Sequence, residues 1–124
     1  MKTLTLPLKR KWFELIKAGT KKEEYRMINS YWIKRLLKCT ERDLDAVWCR
    51  LMALSNPTKF LSHFLERNDW LKHFDQLVFT LGYPKADDTE RRLVFKNPKV
   101  RIGQGEHKWG AAVGVNYFCI TWEE

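Results

Sequence analysis

Residues 19–26 read Gly-Thr-Lys-Lys-Glu-Glu-Tyr-Arg, a glycine followed by a stretch that holds five charged side chains. Gly19 stands where an apolar helical pattern ends, and glycine readily adopts the positive φ of a helix C-cap. The charged part is predicted to form a short polar strand with Lys22, Glu24 and Arg26 on one face. Such a strand cannot be buried on both sides unless its charges are paired. It therefore lines a polar cleft or, as the alternative, forms an edge strand protected by charge.

The flanking sequence predicts helices in the first half of the chain. Residues 3–8 alternate polar and apolar side chains, which is typical of a half-buried strand. Four helices are predicted from apolar spacing and capping residues. The first covers residues 10–18. The other three begin at Asn29 or Ser30, at Asp43 and at Asn56-Pro57.

The second half of the chain is predicted to be rich in strands. Apolar runs and turn residues indicate strands at residues 74–81, 92–96, 99–103 and 116–122, with turns at Gly82-Tyr83-Pro84 and Asn97-Pro98. Together with the N-terminal strands they predict an α+β fold. The sheet then has enough strands to curl into a small barrel.

Length and composition favour one domain over residues 1–124. The apolar fraction is 44% and the aromatic fraction 14%, enough large side chains to bury a core. No apolar run approaches the roughly 18 residues of a membrane span. The first apolar stretch is cut short by Lys9, Arg10 and Lys11, unlike a signal peptide. Three cysteines, an odd number, predict reduced thiols and a cytoplasmic protein.

Neither a metal site nor a cofactor site is predicted. The three histidines and three cysteines show no Cys-x-x-Cys or His-x-x-x-His pairing. The sequence also contains no phosphate-binding loop, nucleophile elbow or dinucleotide fingerprint.

Positive charge is concentrated in the first third of the chain. Residues 1–38 hold 11 basic and 3 acidic side chains, a net charge of +8, whereas residues 39–124 hold 12 of each. A localised excess produces a positive field over one part of the surface. Phosphate-bearing partners are the leading class for such a field, and a solvated lysine-rich helix face is the alternative.

Residues 19–26 also fit the Gly-x-Lys-x-x-Glu-x-Arg signature of the ASCH domain, a branch of the PUA-like superfamily. The chain resembles that family at further places in the same order. These are a strand and helix over residues 4–17, a helix with Tyr31-Trp32, Phe79 with Gly82-Tyr83, and Ile102-Gly103-Gln104-Gly105 followed by Trp109-Gly110-Ala111 and a strand at 117–120. The resemblance covers about residues 1–38 and 74–124, and the helical stretch at about 42–73 is interpreted as an insertion.

The resemblance implies a small, bent β-barrel flanked by helices, with a cleft that contains the signature residues. It implies RNA or a nucleotide as the partner, because PUA-like domains commonly bind RNA or modified bases. Carried over by position, Lys21, Glu24 and Arg26 form the functional set, Lys22 belongs to the same basic cleft, and Gly19 sets the turn.

Some relatives in this family are enzymes, which leaves a second function open. One bacterial group removes the acetyl group from acetylcytidine nucleosides with a lysine and a threonine of this segment. Lys21 matches that lysine, whereas Glu24 stands where the threonine would be. Another relative is described as a ribonuclease. The alternative is therefore a hydrolase acting on RNA or a modified nucleoside, with Lys21 as base or nucleophile and Glu24 as a further catalytic residue.

Aromatic side chains near these motifs could stack on a base. The candidates are Tyr25, Tyr31, Tyr83 and Trp109. Trp109, which follows a glycine-rich bend, is the best of them, although an aromatic residue of this kind is more often part of the core. A third possible function is a protein-interaction adaptor built on the inserted helices.

Overall fold

The structure is a computed structural model that describes residues 1–38, 46–65 and 71–124. Within these ranges the chain forms an α+β fold, as the sequence predicts. The elements, in chain order, are β1 (Thr3–Leu8), α1 (Arg10–Lys17), β2 (Glu24–Met27), α2 (Ser30–Leu36), α3 (Ala46–Ser55), α4 (Pro57–Leu65), β3 (Gln76–Leu81), β4 (Arg92–Gln104), a 3₁₀ turn (His107–Trp109) and β5 (Asn116–Glu123).

The strands form one mixed sheet in the order β1-β3-β4-β5-β2. Strand β1 pairs in parallel with β3, from Thr3 opposite Gln76 to Leu8 opposite Leu81, and β3 pairs antiparallel with β4. A barrel requires its two outermost strands to pair with each other. Here β1 and β2 remain the outer strands, so over the described residues the sheet is not closed into the small barrel that the resemblance implies.

Strand β4 is continuous where the sequence predicts a turn. Asn97 has a φ of 50°, which asparagine tolerates better than most residues. Its N–H donates to the carbonyl of Asp75 at 3.2 Å, and its Nδ2 donates to Glu123 at 2.8 Å. These bonds hold Asn97 beside neighbouring backbone and side chains. The residue therefore makes a local irregularity within a strand of 13 residues, and the predicted Asn97-Pro98 turn is wrong.

Two predicted helix caps are confirmed. The side chain of Asn29 accepts a hydrogen bond from the N–H of Trp32 at 2.9 Å, and that of Asn56 accepts one from Lys59 at 3.0 Å. Each satisfies an N–H group that a helix start leaves without an intrahelical partner. The predicted helix start at Asp43, together with residues 42–45 and 66–70 of the predicted insertion, lies outside the described residues.

Two compact units make up the structure. The first comprises Met1–Glu24, His73–Lys99 and Ile120–Glu124, and its core includes Leu4, Leu6, Phe13, Leu77 and Phe79. The second comprises Tyr25–Lys72 and Val100–Cys119, and its core includes Ile33, Leu36, Leu37, Phe60 and Phe118. One domain over residues 1–124 stays a prediction. In the described ranges, no helix combines the length and hydropathy of a membrane span.

Asp75, the residue before β3, is hydrogen-bonded to Lys2 near the start of the chain. Its Oδ2 accepts a hydrogen bond from the N–H of Lys2 at 2.9 Å, and its Oδ1 lies 2.8 Å from Nε2 of His73. The backbone bond from Lys2 and then the bond from His73 lower the pKa of Asp75 below its ordinary value. These hydrogen bonds favour the ionised form of the carboxyl group, so they stabilise the folded state only while Asp75 is ionised.

Replacement of Asp75 with Asn is therefore expected to lower the melting temperature in a pH-dependent way. Because the pKa of Asp75 is lower in the folded state, the extra stability of the wild-type protein is fully present above about pH 4, the ordinary pKa of an aspartate side chain. The advantage is lost as the pH falls through the lower folded-state value. Thermal unfolding of both proteins between neutral and strongly acidic pH measures it. A difference that grows toward low pH would contradict this account.

Candidate functional site

Helix α1 ends in a turn that brings the chain back against the helix. The N–H of Gly19 donates to the carbonyl of Ile16 and that of Thr20 donates to the carbonyl of Leu15, both at 3.0 Å. These two bonds define a Schellman C-cap. Gly19 has a φ of 79°, which confirms the predicted C-cap. The N–H of Lys21 donates to the same Leu15 carbonyl at 3.1 Å and so holds Lys21 at the end of the helix.

The same turn buries the side chain of Lys21. This residue is 1% exposed, and its Nζ lies 2.8 Å from Oε1 of Glu24, which is 5% exposed. The Nζ also lies 4.4 Å from the centre of the Trp12 ring. An ammonium group taken out of water costs several kcal/mol unless it is paired. The carboxylate and the electron-rich indole face compensate for much of that cost.

The charged stretch becomes a strand later than the sequence predicts. Strand β2 begins at Glu24, and residues 20–23 lie outside any strand. The physical reason is the C-cap, because the N–H groups of Thr20 and Lys21 are bonded to the end of α1. They are therefore not available to a sheet. The predicted shared face of Lys22 and Glu24 is also wrong, since Lys22 is exposed and Glu24 is buried.

A small cavity opens at this turn in the first unit. Its volume is about 140 Å³, and it is lined by Ile16, Gly19, Lys21, Lys22, Trp122 and Glu124. Typical sites for whole small molecules have volumes of roughly 300–1,000 Å³. The cavity therefore suits one group of a larger ligand, such as a phosphate, better than an entire nucleoside.

Two contacts of Arg26 lie within the second unit. Its Nη1 donates to the carbonyl of Tyr25 at 2.9 Å, and its Cζ lies 5.3 Å from the centre of the Trp32 ring. The structure thus brings Lys21 and Glu24 into direct contact. Arg26 lies against the Trp32 ring, an arrangement that a planar guanidinium favours.

Tyr25 is a core residue of the second unit. It is 8% exposed and lies in a buried cluster with Ala111 and Cys119. Its hydroxyl accepts a hydrogen bond from the N–H of Glu106 at 2.8 Å. A Cβ atom at Gly105 would clash with the Tyr25 ring, so the ring and the Gly105 backbone are in close contact. A ring this buried cannot stack on a base unless the cluster rearranges.

The other three predicted stacking residues are more accessible, and Tyr31 is 59% exposed. Tyr83 is 91% exposed. Trp109 is partly buried against the Tyr25 cluster, and Nζ of Lys108 lies 4.8 Å from the centre of its ring. Their base-stacking roles stay predictions.

Trp12 and Trp32 are not among the predicted site residues. Their spacing places them in the apolar stripes of α1 and α2, whereas in the structure each ring lies next to a cation. Local spacing gives no signal for the Trp12–Lys21 contact, because these two residues meet only through the Schellman turn. The sequence indicates this contact only through the position of Lys21, two residues after the predicted C-cap glycine Gly19.

Among the residues that the structure describes, no group of three or more His, Cys, Asp or Glu side chains is placed to hold a metal ion. In comparisons with known proteins, no family model, curated protein or solved structure matches the chain. The resemblance to the ASCH domain therefore depends on the sequence motifs alone.

Proposed function

We propose that this chain is an RNA- or nucleotide-binding domain of the ASCH type, in the PUA-like superfamily, with residues 19–26 as its binding segment. The observation that carries the proposal is the arrangement of side chains at the end of α1. There the Schellman turn fixes the Lys21–Glu24 pair and leaves Lys22 exposed beside a cavity of phosphate-accepting size. A turn whose backbone is already fixed lowers the cost of ordering the chain on binding.

The charge around the turn supports a polyanionic partner. Five basic residues of α1 and its flanks are exposed: Lys9, Arg10, Lys11, Lys17 and Lys22. Glu14 is the one acidic residue of α1, and its carboxylate lies 3.7 Å from the Arg10 guanidinium. Contacts between such side chains and phosphates release counterions, which drives binding at low salt.

Lys21 and Lys22 have different roles in this proposal. Lys21 is buried against Glu24 and Trp12, so it holds the turn in place. Lys22 is exposed and lines the same cavity, so it contacts the ligand. Of the two lysines, the second therefore supplies the binding charge.

Replacement of Lys22 with Ala is expected to weaken binding of a labelled oligouridine and to reduce the salt dependence of its affinity. Loss of one phosphate contact on a single strand lowers the slope of log affinity against log salt by about 0.7. Fluorescence anisotropy over a series of salt concentrations measures both quantities. Lys59→Ala is the control, because it removes the same charge from an exposed position on α4. Equal slopes for the two variants would contradict a contact at Lys22.

A hydrolase acting on RNA or a modified nucleoside is the second candidate. One observation favours it: Lys21 lines the cavity with a carboxylate 2.8 Å from its Nζ. In that function Lys21 acts as base or nucleophile and Glu24 orients it. Incubation with RNA and with acetylcytidine, followed by mass spectrometry, separates the two functions. Binding alone yields affinity and no product.

The cytoplasmic location and the adaptor function that the sequence suggests are also proposals. A cytoplasmic location is supported by Cys49 and Cys119, which are buried thiols. The adaptor function is supported by α3, where Leu51 and Leu54 are 58% and 41% exposed. Exposed leucines occur singly on many surfaces, so nucleic-acid binding remains the preferred function.

A further inference from the structure

A group of arginine and aromatic side chains lies on β2 and α2 of the second unit. Arg26, Tyr31, Trp32 and Arg35 form this group, called the arginine–aromatic cluster below. The guanidinium carbons of Arg26 and Arg35 lie 5.3 and 5.5 Å from the centre of the Trp32 ring. That of Arg35 also lies 5.9 Å from the centre of the Tyr31 ring.

Tyr31 is exposed and yet held in one orientation. It is 59% exposed, and its ring meets Trp32 edge to face, with centroids 4.9 Å apart and planes at 89°. Nη1 of Arg35 donates to its hydroxyl at 2.9 Å. These two residues are four apart on α2, the spacing that places side chains side by side on a helix. An exposed ring that is already oriented loses little freedom when a flat ligand stacks on it.

The composition around the cluster selects a negatively charged ligand. Residues 25–40 contain four basic side chains, Arg26, Lys34, Arg35 and Lys38, and no Asp or Glu. A guanidinium binds phosphate through several hydrogen bonds in one plane. An exposed tyrosine between such groups stacks on a base. Bases with accessible faces and phosphates at short intervals occur together in a single-stranded nucleic acid, whereas a duplex hides the faces of its bases.

We infer that the arginine–aromatic cluster binds single-stranded nucleic acid, with an unpaired base stacked on Tyr31 and with Arg26 and Arg35 bonded to neighbouring phosphates. The inference rests on the proposed function, for which it names the substrate class. It also assigns binding to Tyr31 and Arg35, which lie outside the signature segment 19–26.

The test is fluorescence anisotropy with a labelled oligouridine and with an RNA duplex of the same length. The wild-type protein is expected to bind the single strand more tightly than the duplex. Tyr31→Ala is expected to weaken binding of the single strand by about 5- to 150-fold, the effect of one stacked base. Tyr31→Phe, which keeps the ring, is expected to retain most of the affinity.

Charge is separated from stacking by a pair of neighbouring variants. Arg35→Ala and Lys34→Ala each remove one positive charge from α2. The inference predicts a clearly larger loss of affinity for Arg35→Ala, because Arg35 also orients Tyr31. Thermal unfolding checks that Tyr31→Ala is folded, which its exposure favours.

The outcomes distinguish this inference from the proposed function. If the single strand binds, Lys22→Ala weakens that binding and Tyr31→Ala does not, the inference is overturned and the proposed function stands. Binding of the duplex as tight as that of the single strand also overturns the inference. If the wild-type protein binds neither oligouridine nor a mononucleotide, both fail.

Discussion

Replacement of Lys21 with Met is expected to destabilise the protein by about 3–5 kcal/mol, the usual cost of removing one partner from a buried ion pair. The reason is that the Glu24 carboxylate, 5% exposed, loses the ammonium group 2.8 Å away that balances its charge. The cation–π interaction of Lys21 with Trp12 is lost as well. Urea unfolding followed by circular dichroism measures the change in the free energy of unfolding.

Two further variants make the prediction specific to the ion pair. Lys22→Met changes a neighbouring, exposed lysine, and surface changes of this kind usually alter stability by less than about 0.5 kcal/mol. The double variant Lys21→Met/Glu24→Leu removes both charges, which is often neutral when apolar side chains fill the space. It is therefore expected to recover most of the lost stability. If Lys21→Met unfolds at the same urea concentration as Lys22→Met, the buried pair is not a structural anchor.

The expected loss of stability affects how Lys21 variants are interpreted. A Lys21→Ala protein that neither binds nor catalyses has lost its turn as well as its amine. Loss of function in that variant alone therefore does not identify Lys21 as a base or nucleophile. The double variant offers the better comparison, because it restores stability without restoring the amine.

Replacement of Gly105 with Ala is expected to destabilise the second unit by about 3 kcal/mol, at the upper end of the usual cost of overpacking. The new Cβ would clash with two carbons of the Tyr25 ring and would lie 2.8 Å from Cβ of Ala111. Tyr25 is held by its buried packing and by the bond from the Glu106 N–H, so its ring cannot move aside without loss of these contacts.

Gly103→Ala is the matched control. The atom that its new Cβ would meet is Nη1 of Arg101, at 2.7 Å, the end of a flexible side chain that can shift. The expected change in the free energy of unfolding is less than about 1 kcal/mol, below the usual cost of overpacking. Equal effects of the two substitutions would mean that Tyr25 does not pack on Gly105 as described.

Local signals explain which parts of the fold could be predicted. Alternation in residues 3–8 and a glycine at the end of an apolar helical stripe correctly place β1 and the C-cap of α1. The asparagine caps at Asn29 and Asn56 are equally local, because each side chain bonds an N–H three residues ahead. Such features depend on a few neighbouring residues and are therefore visible in the sequence.

Features that depend on distant contacts could not be predicted. Asn97-Pro98 has the composition of a turn, and bonds to Asp75 and Glu123 keep it within a strand. Strand β2 begins late because the preceding N–H groups bond to the end of α1. Closure into a barrel requires the pairing of outer strands, which no local pattern specifies.

The features of the candidate site also fall into those that the sequence predicts and those that it does not. The excess of positive charge and the signature segment are properties of the sequence. The burial of Lys21 is not, because the spacing of Lys21 and Glu24 does not tell whether the pair is covered. Nor can the sequence distinguish Tyr25, which is 8% exposed, from Tyr31, which is 59% exposed. That difference arises from the packing of Tyr25 against Gly105 and Ala111.

The binding of nucleic acid at residues 19–26 is tested most directly by amide chemical-shift mapping of the labelled protein during titration with oligouridine. The prediction is that the largest shifts occur at residues 19–26, centred on Lys22, with further shifts on α2 around Tyr31 and Arg35. Unchanged spectra at saturating oligouridine, or shifts confined to β1 and β3, would contradict it.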